Sequence, residues 1–296
     1  MIPAVIRRFT HPVTNIDQFE SVFKAADKPR FSREPIDISK VVLVSDLDEP
    51  QSRLLEADIQ EFLGNAVNRD ARWELLSGNL FTDVASLIDL VSTALPDLIC
   101  TYRNLNVPAP DYPYSLGGYV DVLTQATDVP VLLLPNPRVY PEHDFAKAGR
   151  DSVMAITDHL TGDHHLVSYA AKLTEAAGKL FLTHVEDEAT FEHYIRTISK
   201  IPAIDTDTAR EEILEQLLQE PHDYIKSCRT VLEEGTSLHI EEIVTVGHRL
   251  ADYKRLIEEH DVNLLVLNTK DEDQLAMHGL AYPLAVELRQ LPLLLL

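Results

Sequence analysis

One spacing occurs twice in this 296-residue chain and limits its fold more than any other feature. Gly117 lies 13 residues before Pro130, and Gly279 lies 13 residues before Pro292. Each proline is followed by a run of four apolar residues, at 131–134 and 293–296. A glycine, an amphipathic stretch, a proline and a short apolar strand therefore recur in the same order. The recurrence predicts that two parts of the chain share one fold.

The other apolar runs are also short and nearly continuous. They are Val41–Ser45, Val153–Thr157 and Leu264–Leu267. Strands covered on both faces have this pattern, which is typical of parallel sheets. Helical periodicity fills intervals at 50–63, 166–177 and 209–232. We expect Pro221 to break or kink the last of these helices. Strands that alternate with helices predict βαβ units.

The two parts differ in length between matching positions. Asp46 and Asp158 each follow an apolar strand, and Gly78 and Gly247 each precede an amphipathic stretch. The interval from aspartate to glycine is 32 residues in the first half and 89 in the second. The second half therefore has room for a further strand, Leu180–Val185, and we expect the first half to lack that βα unit.

This organisation predicts an α/β protein made of two flavodoxin-like (Rossmann-like), doubly wound parallel-sheet halves, related as a pseudo-two-fold tandem repeat. The expected units are an N-terminal arm (1–38), a shortened first half (39–137) and a second half (151–296). The proline-containing segment 135–150 is interpreted as a linker. The apolar endings at 131–134 and 293–296 are expected to pair as an internal pseudo-dimer. The alternatives are burial of each ending within its own half, and a homodimer of whole chains.

Charge excludes two classes of partner. The chain has 26 Lys and Arg against 48 Asp and Glu, a net charge of −22. We therefore expect no nucleic-acid binding through a positive surface and no docking on an anionic membrane. Two cysteines suit a reducing cytoplasm, which is the expected location. Cys100 is interpreted as a core thiol and Cys228 as a passive surface thiol.

The ordered set of motifs resembles the universal stress protein family in its tandem form. The segments that carry the resemblance are Thr157–Asp158, AAKLTEAAGKLFLTHVEDE (170–188), the helix after Gly247, NLLVLNT (263–269) and the Gly279-to-Pro292 ending. The resemblance implies five parallel strands in a half, with adenine nucleotide bound at their carboxyl ends. It also implies a stress-response role, and a phosphate loop built from three spaced glycines and a final Ser or Thr.

The resemblance also implies which residues would hold the nucleotide. In the second half these are Thr157, Asp158, Val185, Asn268 and Gly279, with Asp158 on the base side and Val185 packing on adenine. In the first half they are Asp46, Gly117 and Gly118, and Arg103 could meet a phosphate. The adenine-packing strand is expected to be missing from the first half.

Both sets depart from the family pattern. The second half lacks the first two glycines, and Leu280 replaces the hydroxyl residue. Asp271, Glu272 and Asp273 would lie where a triphosphate sits, and like charges repel. Binding of ATP or AMP is therefore expected to be weak or absent.

A second chemistry is suggested by a cluster of histidines and carboxylates. His159, Asp163, His164 and His184 could bind a divalent metal together with Asp158. The alternative is that they are solvated loop residues, because their spacing matches no defined zinc motif. The favoured function is sensing or scaffolding. The alternative is an enzyme, either a slow ATPase or a metal-dependent hydrolase.

Overall fold

The computed structural model describes residues 29–108, 114–157, 160–269 and 279–296. Asp158, His159, Asp271, Glu272 and Asp273 lie outside these ranges. The strands are β1 (Lys40–Ser45), β2 (Arg72–Ser77), β3 (Leu98–Tyr102), β4 (Val131–Leu134), β5 (Ser152–Ile156), β6 (Lys179–Asp187), β7 (His239–Gly247), β8 (Leu264–Leu267) and β9 (Leu293–Leu295). The helices are α1 (Glu49–Leu63), α2 (Val84–Ala94), α3 (Gly118–Ala126), α4 (Phe145–Ala148), α5 (His164–Leu173), α6 (Glu188–Ile198), α7 (Thr206–Gly235), α8 (Arg249–Glu259) and α9 (Ala281–Glu287).

All of the described strands join one sheet. Their order is β2-β1-β3-β4-β9-β8-β5-β6-β7. The inner strands β3, β4, β5 and β8 are buried at every residue, so helices cover both faces. The α/β class and the parallel character expected from the continuous apolar runs are confirmed.

The two halves share the same strand register. Val41 pairs with Leu98 in the first half, and Val153 pairs with Leu264 in the second. Each of these valines lies five residues before its aspartate, Asp46 or Asp158. Farther inward, Ile99 pairs with Val131 and Leu265 pairs with Leu293. The recurring spacings of the sequence thus correspond to recurring positions in the sheet.

The halves differ at their outer edges. In the described chain the first half contributes β1–β4 and the second contributes β5–β9. The first half was expected to lack the βα unit that contains Leu180–Val185 in the second half, and this expectation is wrong, because β2 pairs with β1 in parallel as β6 pairs with β5. Among the described strands, it is β7, paired with β6 at the outer edge, that has no counterpart in the first half.

The two halves meet where β4 pairs with β9. This pair is antiparallel, with Leu132 opposite Leu294, whereas the other neighbouring pairs of described strands are parallel. The residues of both strands are buried apolar side chains, which explains why the two sequence endings are apolar throughout. The expected pairing of the two endings is therefore observed.

Three segments show features that the sequence did not indicate. Helix α7 continues through Pro221, so the expectation of a break there is wrong. The segment 135–150, interpreted as a linker, is packed against the protein, since Asn136, Phe145 and Arg150 are buried. The last part of the N-terminal arm lies on the second half, where Phe31 packs edge-on against His164. Within the described ranges, the helices are too short or too polar to span a bilayer.

Candidate functional site

The carboxyl end of β1 lies at the point where the strand order of the first half reverses. Open α/β sheets usually bind ligands at such a point. Asp46 follows β1 there, and two side chains, those of Tyr102 and Arg138, already contact it. The Tyr102 hydroxyl at the end of β3 donates to its carboxylate. Arg138 donates to both carboxylate oxygens, at 3.0 and 2.9 Å, and to the Asp46 carbonyl at 2.9 Å.

This cluster satisfies the polar groups that a nucleotide would use. The Asp46 N–H donates to the Tyr102 oxygen at 2.9 Å, so backbone and side chain are both engaged. Burial, and then the hydrogen bond to Asp46, raise the pKa of Tyr102, which keeps it a neutral donor. Arg138 comes from the segment interpreted as a linker, and its role gave no signal in the sequence. The Arg138 guanidinium therefore occupies the Asp46 carboxylate, which was expected to bind the base or ribose of a nucleotide.

Gly78 lies at the place in the first half that Val185 occupies in the second. Val41 pairs with Trp73, and its counterpart Val153 pairs with Leu180. Five residues beyond these partners come Gly78 and Val185. A Cβ on Gly78 would lie 3.2 Å from the Asp46 Cα, so a larger side chain has little room. The adenine-packing strand was expected to be missing from the first half. It is present as β2, but Gly78 gives it no apolar side chain at the position of Val185.

Gly117, immediately before α3, is engaged within its own loop. Gly117 has a φ of 94°, and a Cβ there would lie 3.0 Å from the Asn104 Cα. Its N–H donates to the Ser115 hydroxyl at 3.0 Å, and the Asn104 N–H donates to the Leu116 carbonyl at 2.7 Å. Gly118 begins α3 in open surroundings. Gly117 is thus needed for the close approach of two backbone segments.

The prediction that Arg103 could meet a phosphate is wrong. Its side chain is 3% exposed and donates to four main-chain carbonyls. The acceptors are Leu134, Ala285, Leu288 and Leu291, at 3.1, 3.2, 2.8 and 3.4 Å. Arg103 therefore joins the first half to the end of α9, at the joint where β4 meets β9.

In the second half, Gly279 lines a cleft of about 600 Å³ at the carboxyl ends of β6 and β7. Its other walls include His248, Arg249, Lys254 and Asp187. Arg249 donates to the Val185 carbonyl at 3.0 Å, and Lys254 forms an ion pair with Glu287. The cleft is large enough for a small ligand and has mixed charge.

Val185 itself is 1% exposed. Its N–H is not available to donate to a ligand, because it donates to the Tyr253 hydroxyl at 3.1 Å. The side chain expected to pack on adenine is therefore part of the core in this conformation.

Asn268 follows β8, next to Thr157 in the register of β5 and β8. Its amide donates to the Asp163 carboxylate at 2.6 Å. The other Asp163 oxygen accepts the Leu166 N–H at 3.0 Å and caps α5. Burial raises the pKa of Asp163. Thus Asn268 and Asp163, predicted for two different ligands, bind each other.

The remaining histidines of the predicted metal cluster have separate partners. His164 Nδ1 lies 2.8 Å from the Tyr224 hydroxyl, and His184 Nε2 lies 3.3 Å from Glu186. Within the described residues, no group of three or more His, Cys, Asp or Glu side chains is arranged to hold a metal ion. Asp158 and His159 lie outside those residues.

Cys228 is buried, so its interpretation as a surface thiol is wrong. It lies on the side of α7 that packs into the core, and burial raises its pKa to about 12. Cys100 in β3 is also buried, as expected. Burial raises the pKa of both thiols, which disfavours the reactive thiolate at neutral pH.

No protein-family model matches this sequence, and no curated protein matches it significantly. Solved structures similar to it include universal stress proteins. One, from Archaeoglobus fulgidus DSM 4304, is 14% identical with a TM-score of 0.47, and the match covers 88% of this chain and 96% of that chain. A functionally unknown protein from Pseudomonas aeruginosa PAO1 is 16% identical with a TM-score of 0.49, covering 88% and 92%.

The Archaeoglobus fulgidus structure is named a universal stress protein, which is the family that the sequence motifs resemble. At these identities and TM-scores the likeness carries no argument about ligand or activity.

Proposed function

We propose that this chain is a tandem protein of the universal stress protein type that senses or scaffolds and does not catalyse. Its units are the arm (1–38), a shortened first half (39–137) and a second half (151–296), and the β4–β9 pair joins the two halves. Support comes from the identical register of β1, β3 and β4 with β5, β8 and β9. A duplicated half whose end strand pairs with its copy gives this arrangement without a second chain.

The observation that carries the proposal is the closed cluster of Asp46, Tyr102 and Arg138. A nucleotide in the first half would have to displace a two-pronged arginine–carboxylate contact, a strong type of hydrogen-bonded ion pair. It would gain no apolar packing at Gly78 and no phosphate contact from Arg103. We infer that the first half binds neither ATP nor AMP.

The second half keeps a cleft with Gly279, Arg249 and Lys254 on its walls. Arg249 and Lys254 could face a phosphate, but Lys254 is already paired with Glu287. The apolar contact from Val185 would require the core to open. We propose that adenine nucleotide binds here weakly or not at all.

Calorimetry with ATP and Mg²⁺, and separately with AMP, tests this proposal. We expect no micromolar binding by the wild-type chain, and no change in Asp46→Ala. A micromolar isotherm that Asp158→Ala abolishes would contradict weak binding in the second half. A micromolar isotherm that Asp46→Ala abolishes would contradict closure of the first half. Arg138→Ala is the matched test of closure, since it removes the internal guanidinium and leaves the carboxylate.

The metal-dependent alternative has its own measurement. Elemental analysis of untagged protein, compared with His164→Ala, reports any bound metal and its dependence on that side chain. Stoichiometric metal in the wild type that is lost in the variant would favour the hydrolase over the scaffold.

A further inference from the structure

A second cavity lies at the joint between the halves, and the nucleotide positions do not explain it. Its volume is about 880 Å³, within the range typical of small-molecule pockets. Walls from the second half come from α8, α9 and the turn after α9. Tyr114 contributes from the first half, and Tyr140 from the segment 135–150 between the halves. Both halves of one chain therefore line the site.

Aromatic and aliphatic side chains form most of the cavity wall. Tyr114, Tyr140 and Tyr282 present three rings, and Ile257 and Leu291 are among the aliphatic residues. Tyr140 and Tyr282 are half-buried, whereas Tyr114 is 80% exposed at the rim. Tyrosine faces attract planar rings and cations, because the face of the ring carries partial negative charge.

The charges of the cavity favour a cation. Three carboxylates line it, from Glu258, Asp261 and Glu287, against one guanidinium, from Arg289. Glu287 is paired with Lys254. Glu258 and Asp261 are exposed, and neither forms an ion pair with another described residue. Among the described residues, no cation neutralises these two carboxylates, which favours a positively charged ligand.

The structure also contains a cation on one of these rings. The Arg289 guanidinium carbon lies 5.7 Å from the centre of the Tyr114 ring. Tyr140 and Tyr282 line the same cavity. Below the cavity, Arg103 ties the carbonyls of Leu288 and Leu291 to the first half, so the wall is held in place before any ligand binds.

We propose that this joint cavity binds a planar organic cation, with its ring on the tyrosines and its charge toward Glu258 and Asp261. The site adjoins the nucleotide cleft, with which it shares Pro283 and Glu287, but the proposal does not depend on nucleotide binding. An aromatic anion is the competing ligand, because Arg289 could attract it.

Two fluorescent dyes of opposite charge distinguish these ligands. Thioflavin T is a planar cation, and 8-anilinonaphthalene-1-sulfonate is an aromatic anion. Both are titrated against the full-length chain at about 0.15 M salt, where diffuse surface attraction is largely screened. We expect thioflavin T to saturate at one dye per chain and to bind about tenfold more tightly than the anion.

Variants then locate the dye. Tyr282→Leu keeps apolar bulk but removes a ring face, and should weaken thioflavin T binding by about threefold to tenfold. Tyr140→Leu is the second such variant, should the first change the melting temperature. The double variant Glu258→Gln/Asp261→Asn should weaken binding by about threefold or more. The control Glu211→Gln/Glu215→Gln removes the same charge from the exposed face of α7 and should change nothing.

Four outcomes would overturn the proposal. They are the lack of saturable thioflavin T binding, equal or tighter binding of the anion, unchanged affinity in both tyrosine variants, and equal weakening by the control and the cavity carboxylate variants. The last would show that overall negative charge, not this cavity, attracts the dye.

Discussion

Replacing Arg103 by methionine tests how the two halves are held together. The guanidinium is 3% exposed, and three of its four carbonyl acceptors belong to the second half. Burial lowers the pKa of Arg103 to about 9, so the side chain is still charged at pH 7. Methionine keeps an apolar stem of similar reach and removes all of these donors.

The expected decrease in the free energy of unfolding of Arg103→Met is the balance of two opposing effects. Hydrogen bonds to charged groups contribute about 1.5–3 kcal/mol each, and three such bonds cross the joint. Removing a buried cation also removes its desolvation cost, which amounts to several kcal/mol. We therefore expect Arg103→Met to lower the free energy of unfolding by about 2–4 kcal/mol.

Urea unfolding measures this loss. Trp73, the chain's one tryptophan, lies in β2 and reports the first half by fluorescence, while circular dichroism reports the whole chain. Arg53→Met is the matched control, because Arg53 forms an exposed ion pair with Glu56 and should contribute no more than about 0.5 kcal/mol. A loss in Arg103→Met below about 1 kcal/mol, or equal to that of Arg53→Met, would refute the role of Arg103 at the joint.

Three further predictions concern local features. Gly117→Ala should destabilise the chain by about 1–3 kcal/mol, because its φ is 94° and a Cβ would meet backbone, whereas Gly118→Ala should be neutral or slightly stabilising; thermal melting compares the two. Cys100 and Cys228 should react with an aromatic disulfide reagent only at the rate at which the protein opens, and reaction of either thiol within seconds under native conditions would contradict their burial. Burial raises the pKa of Asp163 in the folded state above its value in the unfolded state. As pH rises from the unfolded pKa through the folded pKa, the free energy of unfolding of the wild type should therefore fall relative to that of Asp163→Asn. Denaturation series at several pH values measure this difference, and a rise with pH would refute the prediction.

The fold was largely predictable because its signals are local. Continuous apolar runs such as Val41–Ser45 indicate strands covered on both faces, and the glycine-to-proline spacings indicate which elements recur. The sequence also predicted that the two apolar endings would pair. Hydrophobic periodicity reports burial directly, so these features need no knowledge of distant contacts.

The candidate site was predicted less well, because the hydrogen-bond partners of its residues lie far away in the sequence. Asp46 and Gly117 lie at the expected edge, but their partners are Arg138 and Asn104, reached only through the fold. Asn268 and Asp163 were predicted for different ligands, and the sheet brings them into contact with each other.

The sequence by itself determined the α/β class, the repeated order of elements and the apolar strands that meet at the joint. These depend on residue type and spacing along the chain. Only the tertiary structure decided whether a matching residue is available to a ligand. Arg103 has the chemistry of a phosphate-binding residue, yet the β4–β9 pairing buries it against carbonyls of the other half. Whether a side chain is available to a ligand depends on whether groups distant in the sequence already form its hydrogen bonds. Local sequence does not encode those contacts.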